Sequence, residues 1–287
     1  MRKLNFQLKQ LVNRNRDGSH TTQHDREKML QMIANDLFDL GFRRMEVKSL
    51  KPKHIEALAA NYLERELSVG TIKNRLSALR WWAEKIGKQN VVAKDNTFYG
   101  IGSRSFKTGI SKATDIDKAI LDKVSDPYLK MSLELQKAFG LRREEAIKFI
   151  PQYADHGTFI RLKASWCKGG REREVPVRTQ EQADVLKRSH LIAGAGSLIP
   201  GHLMYVQQMR LYERETAKLG LNKLHGLRHR YAQERYQELT GWACPACGGP
   251  ATKDLNEAEF KKDRVARTAI SQELGHDRIA IAEAYLS

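Results

Sequence analysis

The sequence lacks the long apolar runs that a membrane-spanning protein needs. Its longest uninterrupted apolar stretches are a handful of residues, against the roughly 20 that a spanning helix requires, and its first ten residues contain no apolar signal core. Cysteine is also scarce. There are three in 287 residues, an odd number that cannot supply a disulfide framework. We therefore expect a protein that neither spans a membrane nor is secreted, and that resides in the reducing cytoplasm.

Acidic residues are few relative to basic ones. The chain has 50 Lys and Arg against 34 Asp and Glu, a formal net charge of +16. The excess of basic side chains is denser in residues 1–110, which contain 21 basic and 11 acidic side chains. Such an excess favours a polyanionic partner, with nucleic acid first and a ribosome-associated, RNA-binding or membrane-surface protein as the alternatives. Apolar residues make up 41% of the chain, enough for the cores of two domains.

Three segments of the first hundred residues carry apolar side chains three to four residues apart, which predicts helices. The first begins at the threonines at 21–22 and ends at Gly41, the second covers residues 50–67, and the third is capped by Thr71 and ended by Gly87. An all-helical N-terminal domain over residues 1–95 follows. Three basic residues of the third helix are placed largely off its apolar stripe and are candidate DNA contacts, with a solvated basic face as the alternative: Lys73, Arg75 and Arg80.

The remainder of the chain predicts a linker and a second domain. Residues 96–112 lose periodicity and gather Gly, Ser and Thr, as linkers do. The second domain, residues 113–287, is helical in pattern except for GTFIRLKASWCKGGREREVPV, whose alternation on either side of Gly-Gly predicts a β-hairpin. Further helices are predicted over residues 180–191, 201–218, 226–239 and 265–285. The expected fold is mainly α with a small β-hairpin, a helical domain followed by an α+β domain.

Four motifs of the second domain carry candidate catalytic residues. They are AFGLRREEA with Arg142, WCKGGREREVPV with Lys168, LHGLRHRYA with His225 and Arg228, and ELGHDRIAIAEAY with His276 and Tyr285. Each alone is common and is explained by a surface charge, a turn or packing. Together, their order and spacing resemble the catalytic domain of the tyrosine recombinases, the phage integrase family. The resemblance covers roughly residues 112–287, while residues 20–95 are similar only as a basic helical domain like the family's core-binding domain.

The residue types suit attack on a DNA phosphodiester. Guanidinium groups give paired hydrogen bonds and a permanent charge to phosphate oxygens, so Arg142 and Arg228 can clamp the reacting group. The spacing of His225 and Arg228 places both on one helical face, where the imidazole can donate or accept a proton. His276 would be a second donor. A tyrosine hydroxyl is a weak nucleophile, and the charge of two arginines would favour the ionised form of Tyr285.

The resemblance also implies roles and partners. Lys168, at the hairpin turn, would be the general acid, chosen over Lys163 by its position and the family pattern, and Glu145 would orient its helix through an ion pair. His229 is interpreted as a structural residue. The implied enzyme is a site-specific recombinase or integrase that cleaves and rejoins double-stranded DNA through a 3'-phosphotyrosine, for integration or excision of a mobile element.

The same resemblance implies a homotetramer on specific recombination sites, associated with the nucleoid, with an accessory directionality protein and without a metal or other cofactor. A type IB topoisomerase and a catalytically silent DNA-binding regulator of the same fold are the alternative interpretations. Efficient relaxation of arbitrary plasmid would favour the topoisomerase.

Two features depart from the family pattern. Arg228 and His276 are separated by 47 residues, more than is usual, which predicts an insertion around residues 241–264. Within it, Cys244 and Cys247 have the spacing of half a zinc knuckle, and we favour a loop dithiol over a zinc site completed by distant residues. The sequence stops two residues after Tyr285, where family members continue into a segment that docks on a neighbouring subunit. Truncation and a different coupling of protomers both stay open.

Overall fold

The computed structural model describes residues 2–104, 109–276 and 278–287. The chain forms two compact units, Met1–Ser105 and Phe106–Ser287. The boundary between them lies inside the predicted linker, of which residues 105–108 are outside the described residues. The predicted fold class, mainly α with one small β-hairpin, is confirmed. None of the helices in the described ranges has the length and apolar character required to cross a membrane.

Over the described residues 2–104, the first unit contains four helices, one short 3₁₀ turn between the second and third helix, and two more after the fourth. The helices are α1 (Lys3–Arg14), α2 (His20–Asp39), α3 (Pro52–Glu64) and α4 (Val69–Lys85), and the turns are Val47–Ser49, Gln89–Val91 and Asn96–Tyr99. Helices α2 to α4 are the three that periodicity predicts. Helix α1 was not predicted, although its apolar residues Leu4, Leu8 and Val12 have helical spacing. It is stabilised by packing against α2.

Helices α2 and α4 begin one turn earlier than their predicted caps. Ser19 caps α2 and Ser68 caps α4, and each serine hydroxyl accepts a hydrogen bond at 3.2 Å from a threonine backbone N–H three residues later. The threonines, Thr22 and Thr71, therefore lie inside the first turn and supply the donor. The acceptor hydroxyl must precede the helix because it satisfies an N–H that has no partner within the helix.

The core of the first unit extends beyond the predicted boundary at residue 95. Tyr99 and Ile101 are buried with the apolar residues of the four helices. The Tyr99 hydroxyl accepts a hydrogen bond from the backbone N–H of Ala93 at 2.9 Å, and Arg80 donates to the Ala93 carbonyl and to the Asn96 side chain. The start of the predicted linker is thus packed structure of the first unit.

The second unit surrounds a two-stranded antiparallel sheet with helices. Its strands are β1 (Phe159–Leu162) and β2 (Arg173–Pro176), paired from Phe159 with Pro176 to Leu162 with Arg173. The hairpin is confirmed, but residues 163–172 connect the strands, including a 3₁₀ turn at Ala164–Trp166, so the connection is longer than the predicted Gly-Gly turn. The helices are α5 (Lys118–Leu121), α6 (Pro127–Phe139), α7 (Arg143–Ile147), α8 (Pro151–Ala154), α9 (Gln180–Ala193), α10 (Tyr205–Lys218), α11 (Gly226–Thr240), α12 (Glu257–Glu273) and α13 (Glu283–Leu286).

The last predicted helix, residues 265–285, is interrupted in the structure. Helix α12 ends at Glu273, and Gly275 follows with a positive φ of 67°. A Cβ at Gly275 would lie 2.9 Å from the Cδ atom of Arg173, so this position requires glycine both for its backbone conformation and for space. Residues Ile279–Ile281 form a 3₁₀ turn before α13. Helix α12 begins at Glu257, so residues 257–264 of the predicted insertion are helical.

Helix α11 lies at the centre of the second unit, packed against α6, α12 and α13. These elements carry residues from three of the four sequence motifs. The core around them includes Phe139, Ile160, Val175, Tyr231, Tyr236, Ile270, Tyr285 and Leu286. Packing on one central helix therefore brings together motifs that are up to 143 residues apart in the chain, from Arg142 to Tyr285.

Candidate active site

The first candidate arginine lies between two helices. Gly140 ends α6 with a φ of 60°, and a Cβ there would lie 2.8 Å from the Tyr231 ring. Arg142 then caps α7, where its backbone N–H donates to Glu145 Oε2 at 2.7 Å and its guanidinium Nη1 to Glu145 Oε1 at 2.8 Å. Its Nη2 donates to the Leu274 carbonyl at 3.2 Å. The Gly-Leu-Arg motif thus sets both the chain reversal and the direction of the arginine.

A buried ion pair supports Arg142. Glu145 is fully buried and accepts hydrogen bonds from Arg173 Nη1 at 2.8 Å and Nη2 at 2.7 Å. Burial alone would raise the pKa of Glu145, but the hydrogen bonds and charge of Arg173, with Arg228 and Arg142, hold that pKa at about 2. The structure gives Glu145 the predicted ion pair, but its partner Arg173 was not among the predicted residues. The signal was the alternation of β2, which turns Arg173 to the same buried side as Val175.

The second arginine, Arg228, is 1% exposed. Its Nη1 donates to the Gly140 carbonyl at 2.6 Å, its Nη2 donates to the Leu274 carbonyl, and its Nε donates to the Tyr285 hydroxyl at 3.3 Å. Burial and the nearby charge of Arg142 lower the pKa of Arg228 to about 10, which leaves it cationic at neutral pH. Both arginines therefore donate to the same carbonyl, Leu274, and concentrate positive charge beside the tyrosine.

Tyr285 lies in this pocket, on the short helix α13. Its hydroxyl is 3.3 Å from Arg228 Nε and 3.3 Å from His276 Nε2, and the residue is 6% exposed. Its ring packs 4.7 Å, centroid to centroid, from the ring of His229. The structure thus joins the predicted nucleophile to the arginine and the histidine expected to act with it, all within one chain.

The three histidines around Tyr285 have lowered pKa values. Burial, followed by the charges of Arg228 and Arg142, lowers the pKa of His276 to about 4. The same causes lower the pKa of His225, with Lys168 contributing, and burial with the charge of His225 lowers that of His229 to about 4. At neutral pH the imidazoles are neutral, so each ring can donate from one nitrogen and accept at the other.

The two hairpin lysines have different surroundings. Lys168 is exposed in the loop between β1 and β2, and its charge reaches His225. Lys163 lies with its ammonium 4.1 Å from the centroid of the Tyr153 ring and 5.7 Å from that of Trp166. Lys163 thus has a packing role, and Lys168 is the lysine at the edge of the pocket. The choice of Lys168 over Lys163 stays a prediction that this arrangement favours.

One of the three predicted DNA contacts on α4 is not on the surface. Arg75 is 6% exposed, donates to Asp36 Oδ2 at 3.2 Å and lies over the Tyr62 ring at 4.4 Å. The predicted placement of Arg75 off the apolar stripe is wrong, because its position borders the stripe and its long stem is buried with it. Its role as a DNA contact stays a prediction, which this burial disfavours. Arg80 is partly buried, and its guanidinium donates to Ala93 and Asn96 as described above. Lys73 is partly exposed and stays a candidate.

The two cysteines of the insertion do not complete a metal site in the described ranges. Cys244 is buried and Cys247 exposed, on either end of the turn Pro245–Cys247. Across residues 2–104, 109–276 and 278–287, no group of three or more His, Cys, Asp or Glu side chains is placed to hold a metal ion. Two thiolates are half of the four ligands of a structural zinc site. The loop dithiol remains our prediction for this pair.

The profiles of two known protein domains match the chain. The profile of the phage integrase N-terminal domain matches residues 1–92, and the integrase profile matches residues 104–234. The chain belongs to the phage integrase family, the tyrosine recombinases. None of the curated proteins matches it in sequence.

Solved structures of similar fold include three recombinases. A lambda integrase dimer bound to a COC' core site has a TM-score of 0.62 and 15% identity, over 99% of this chain and 95% of that chain. The XerH site-specific recombinase, in a post-cleavage complex with a palindromic difH substrate, has a TM-score of 0.60 and 17% identity, over 99% and 81%. The Tn1549 transposon integrase, in complex with circular intermediate DNA, has a TM-score of 0.56 and 14% identity, over 100% and 96%. At these identities the likeness establishes the fold.

Proposed function

We propose that the protein is a site-specific recombinase that cuts and rejoins double-stranded DNA for integration or excision of a mobile element. One observation carries the proposal. The Tyr285 hydroxyl lies 3.3 Å from both Arg228 Nε and His276 Nε2, and Arg142 shares the Leu274 carbonyl with Arg228. A tyrosine beside two guanidiniums is arranged for attack on an anionic phosphodiester, because the arginines stabilise the charge that develops on its oxygens.

The proposed reaction is a transesterification at phosphorus. The Tyr285 oxygen forms a bond to the phosphorus atom while the bond from phosphorus to the 5' oxygen breaks, which leaves a 3'-phosphotyrosine. Neutral His225 or His276 accepts the tyrosine proton, and Lys168 protonates the departing 5' oxygen. The bond energy is kept in the phosphotyrosine, so a 5' hydroxyl from a partner strand reverses the step without ATP.

Two further observations support DNA as the substrate. The net charge of +16 favours a polyanion, and three solved structures of similar fold contain DNA. A homotetramer on two DNA sites, and an accessory protein that sets direction, are part of the proposal because strand exchange joins two duplexes.

The test is a covalent trapping experiment. A random pool of duplexes is first enriched for those that the Tyr285→Phe protein retains, and the enriched duplexes are nicked so that the cleaved fragment diffuses away. Wild type and Tyr205→Phe, a control at the start of α10, should form a covalent protein–DNA adduct that Tyr285→Phe does not form. Absence of an adduct from wild type would contradict the proposal and indicate a silent DNA-binding regulator. Efficient relaxation of arbitrary supercoiled plasmid would indicate a topoisomerase instead.

A further inference from the structure

The main chain of Tyr285 is held by a buried glutamine. Gln233 is 8% exposed on α11, and its side-chain Nε2 donates to the Tyr285 carbonyl at 3.0 Å. Arg228, five residues earlier on the same helix, donates to the Tyr285 hydroxyl. Helix α11 therefore holds both ends of the nucleophile residue, the side-chain oxygen through Arg228 and the backbone oxygen through Gln233.

Gln233 is itself oriented by two other segments. Its Oε1 accepts a hydrogen bond from the Ser111 hydroxyl at 2.9 Å and one from the Cys247 thiol at 3.2 Å. Of the two amide atoms, only the oxygen accepts hydrogen bonds. The bonds from Ser111 and Cys247 therefore orient the oxygen toward these two residues and the nitrogen toward Tyr285. Ser111 lies near the start of the second unit, and Cys247 ends the turn Pro245–Cys247 that packs against α13.

We infer that Gln233 is a positioning residue for the nucleophile, and that the cysteine-bearing insertion helps to orient it. The inference rests on the proposed function of Tyr285. Helix α13 is four residues long, so the hydrogen bond from Gln233 to the Tyr285 carbonyl helps to set how the tyrosine oxygen faces the arginines. A displacement of about 1 Å at a reacting atom can cost about 100-fold in rate. Gln233 acts on the rate of attack by Tyr285 and leaves the phosphate-binding groups in place.

The test compares two nucleophiles in the full-length protein. Gln233→Leu keeps the volume and removes the hydrogen bonds, and Gln237→Leu, an exposed position one turn later on α11, is the control. On the enriched, nicked duplexes we expect Gln233→Leu to slow adduct formation by Tyr285 about 10- to 100-fold, with unchanged DNA affinity. In the Tyr285→Phe background, hydrogen peroxide replaces the tyrosine as nucleophile. The rate of peroxide-dependent cleavage by Tyr285→Phe should not change by more than about twofold when Gln233→Leu is added.

Two results would overturn the inference. Parallel loss of tyrosine-dependent and peroxide-dependent cleavage would make Gln233 a general support of the site, and full activity of Gln233→Leu would make its hydrogen bond irrelevant. If Gln233→Leu does not fold, the cysteine variants carry the test. Cys247→Ser retains a donor to Gln233 and should keep the wild-type rate, while Cys247→Ala should lower only the tyrosine-dependent rate. Failure of wild type to form any adduct is a separate result, which refutes the proposed function itself.

Discussion

Glu145 and Arg173 form a bidentate ion pair beneath the candidate catalytic residues: Nη1 of Arg173 donates to Oε1 of Glu145 at 2.8 Å and Nη2 donates to Oε2 at 2.7 Å. Arg173 also donates from Nε to the Glu273 carbonyl at 2.8 Å. The pair connects β2 to α7 and to the end of α12. The Glu145 carboxylate also binds the Arg142 guanidinium, so it helps to position the first candidate catalytic arginine.

Loss of this pair should cost stability in a pH-dependent way. The pKa of Glu145 is about 2 in the folded protein, against 4.5 as its ordinary value. Because the folded pKa is the lower one, the stabilisation is fully present above pH 4.5 and is lost as the pH falls toward 2. Urea unfolding at pH 6 and pH 3 measures this loss. We expect the free energy of unfolding of wild type to fall between these pH values by part of roughly 3 kcal/mol, and we expect Glu145→Gln not to show this decrease. An identical pH dependence in both proteins would contradict this account.

At neutral pH, removing Arg173 alone should destabilise the protein more than neutralising Glu145 does. Arg173→Ala leaves the Glu145 charge buried without its main partner, which typically costs about 3–5 kcal/mol. Thermal or urea unfolding measures the loss, with Arg161→Ala as the control, since Arg161 pairs with Glu174 on the exposed side of the hairpin. An Arg173→Ala protein as stable as the Arg161→Ala protein would show that the buried pair contributes little.

Tyr285 should act on DNA held by its own protomer. The hydroxyl contacts Arg228 and His276 of the same chain, so each site is complete without a neighbour's tyrosine. Tyr285→Phe and Arg228→Ala should each abolish adduct formation, and their mixture should stay inactive on the nicked duplex. If a neighbouring subunit supplied the tyrosine, the mixture would contain functional sites. Recovery of adduct in the mixture would therefore refute the arrangement within one protomer.

DNA binding should take up protons at mildly acidic pH. Burial, Arg228 and Arg142 hold the pKa of His276 at about 4, below its usual 6.5. A phosphate bound between the arginines adds negative charge, which raises the pKa of the imidazole. Between pH 4 and pH 6.5, His276 should therefore take up a proton when DNA binds, and the affinity for DNA should increase as the pH falls. Calorimetry at pH 5.5, in buffers of different ionisation enthalpy, should show net uptake that decreases in His276→Gln. Equal uptake in both proteins would exclude His276 as its source.

Two residues of α4 should differ in the effect of mutation. Arg75→Ala removes a buried partner of Asp36 and should destabilise the protein by roughly 3 kcal/mol, with unchanged salt dependence of DNA binding in the folded fraction. Lys73→Ala should change stability by less than about 0.5 kcal/mol. If Lys73 contacts a phosphate, its loss lowers the slope of log affinity against log salt by about 0.9. An unchanged slope for Lys73→Ala would remove it from the DNA interface.

Helix periodicity predicted α2, α3 and α4 of the first unit, and periodicity together with strand alternation predicted much of the second unit. The hairpin and α9, α10 and α11 were found because their buried faces repeat at a regular interval along the chain. Helix α1 was not predicted, although Leu4, Leu8 and Val12 are spaced as in a helix. Residues 265–285 were predicted as one helix because the pattern does not show that Gly275 must make room for Arg173. Arg75 was misplaced because a residue at the border of an apolar stripe can turn either way.

The order and spacing of the four motifs, through their resemblance to the tyrosine recombinases, grouped Arg142, His225, Arg228, His276 and Tyr285 as one candidate set. The structure places these residues around one pocket, and their catalytic roles stay a prediction. The motifs could not reveal that Arg173 locks Glu145, or that Gln233 joins Ser111 and Cys247 to the backbone of Tyr285. Those contacts connect residues that are 14 to 122 positions apart. Such contacts arise only when the chain packs around α11, since the direction of a buried polar side chain is set by the partners it meets there.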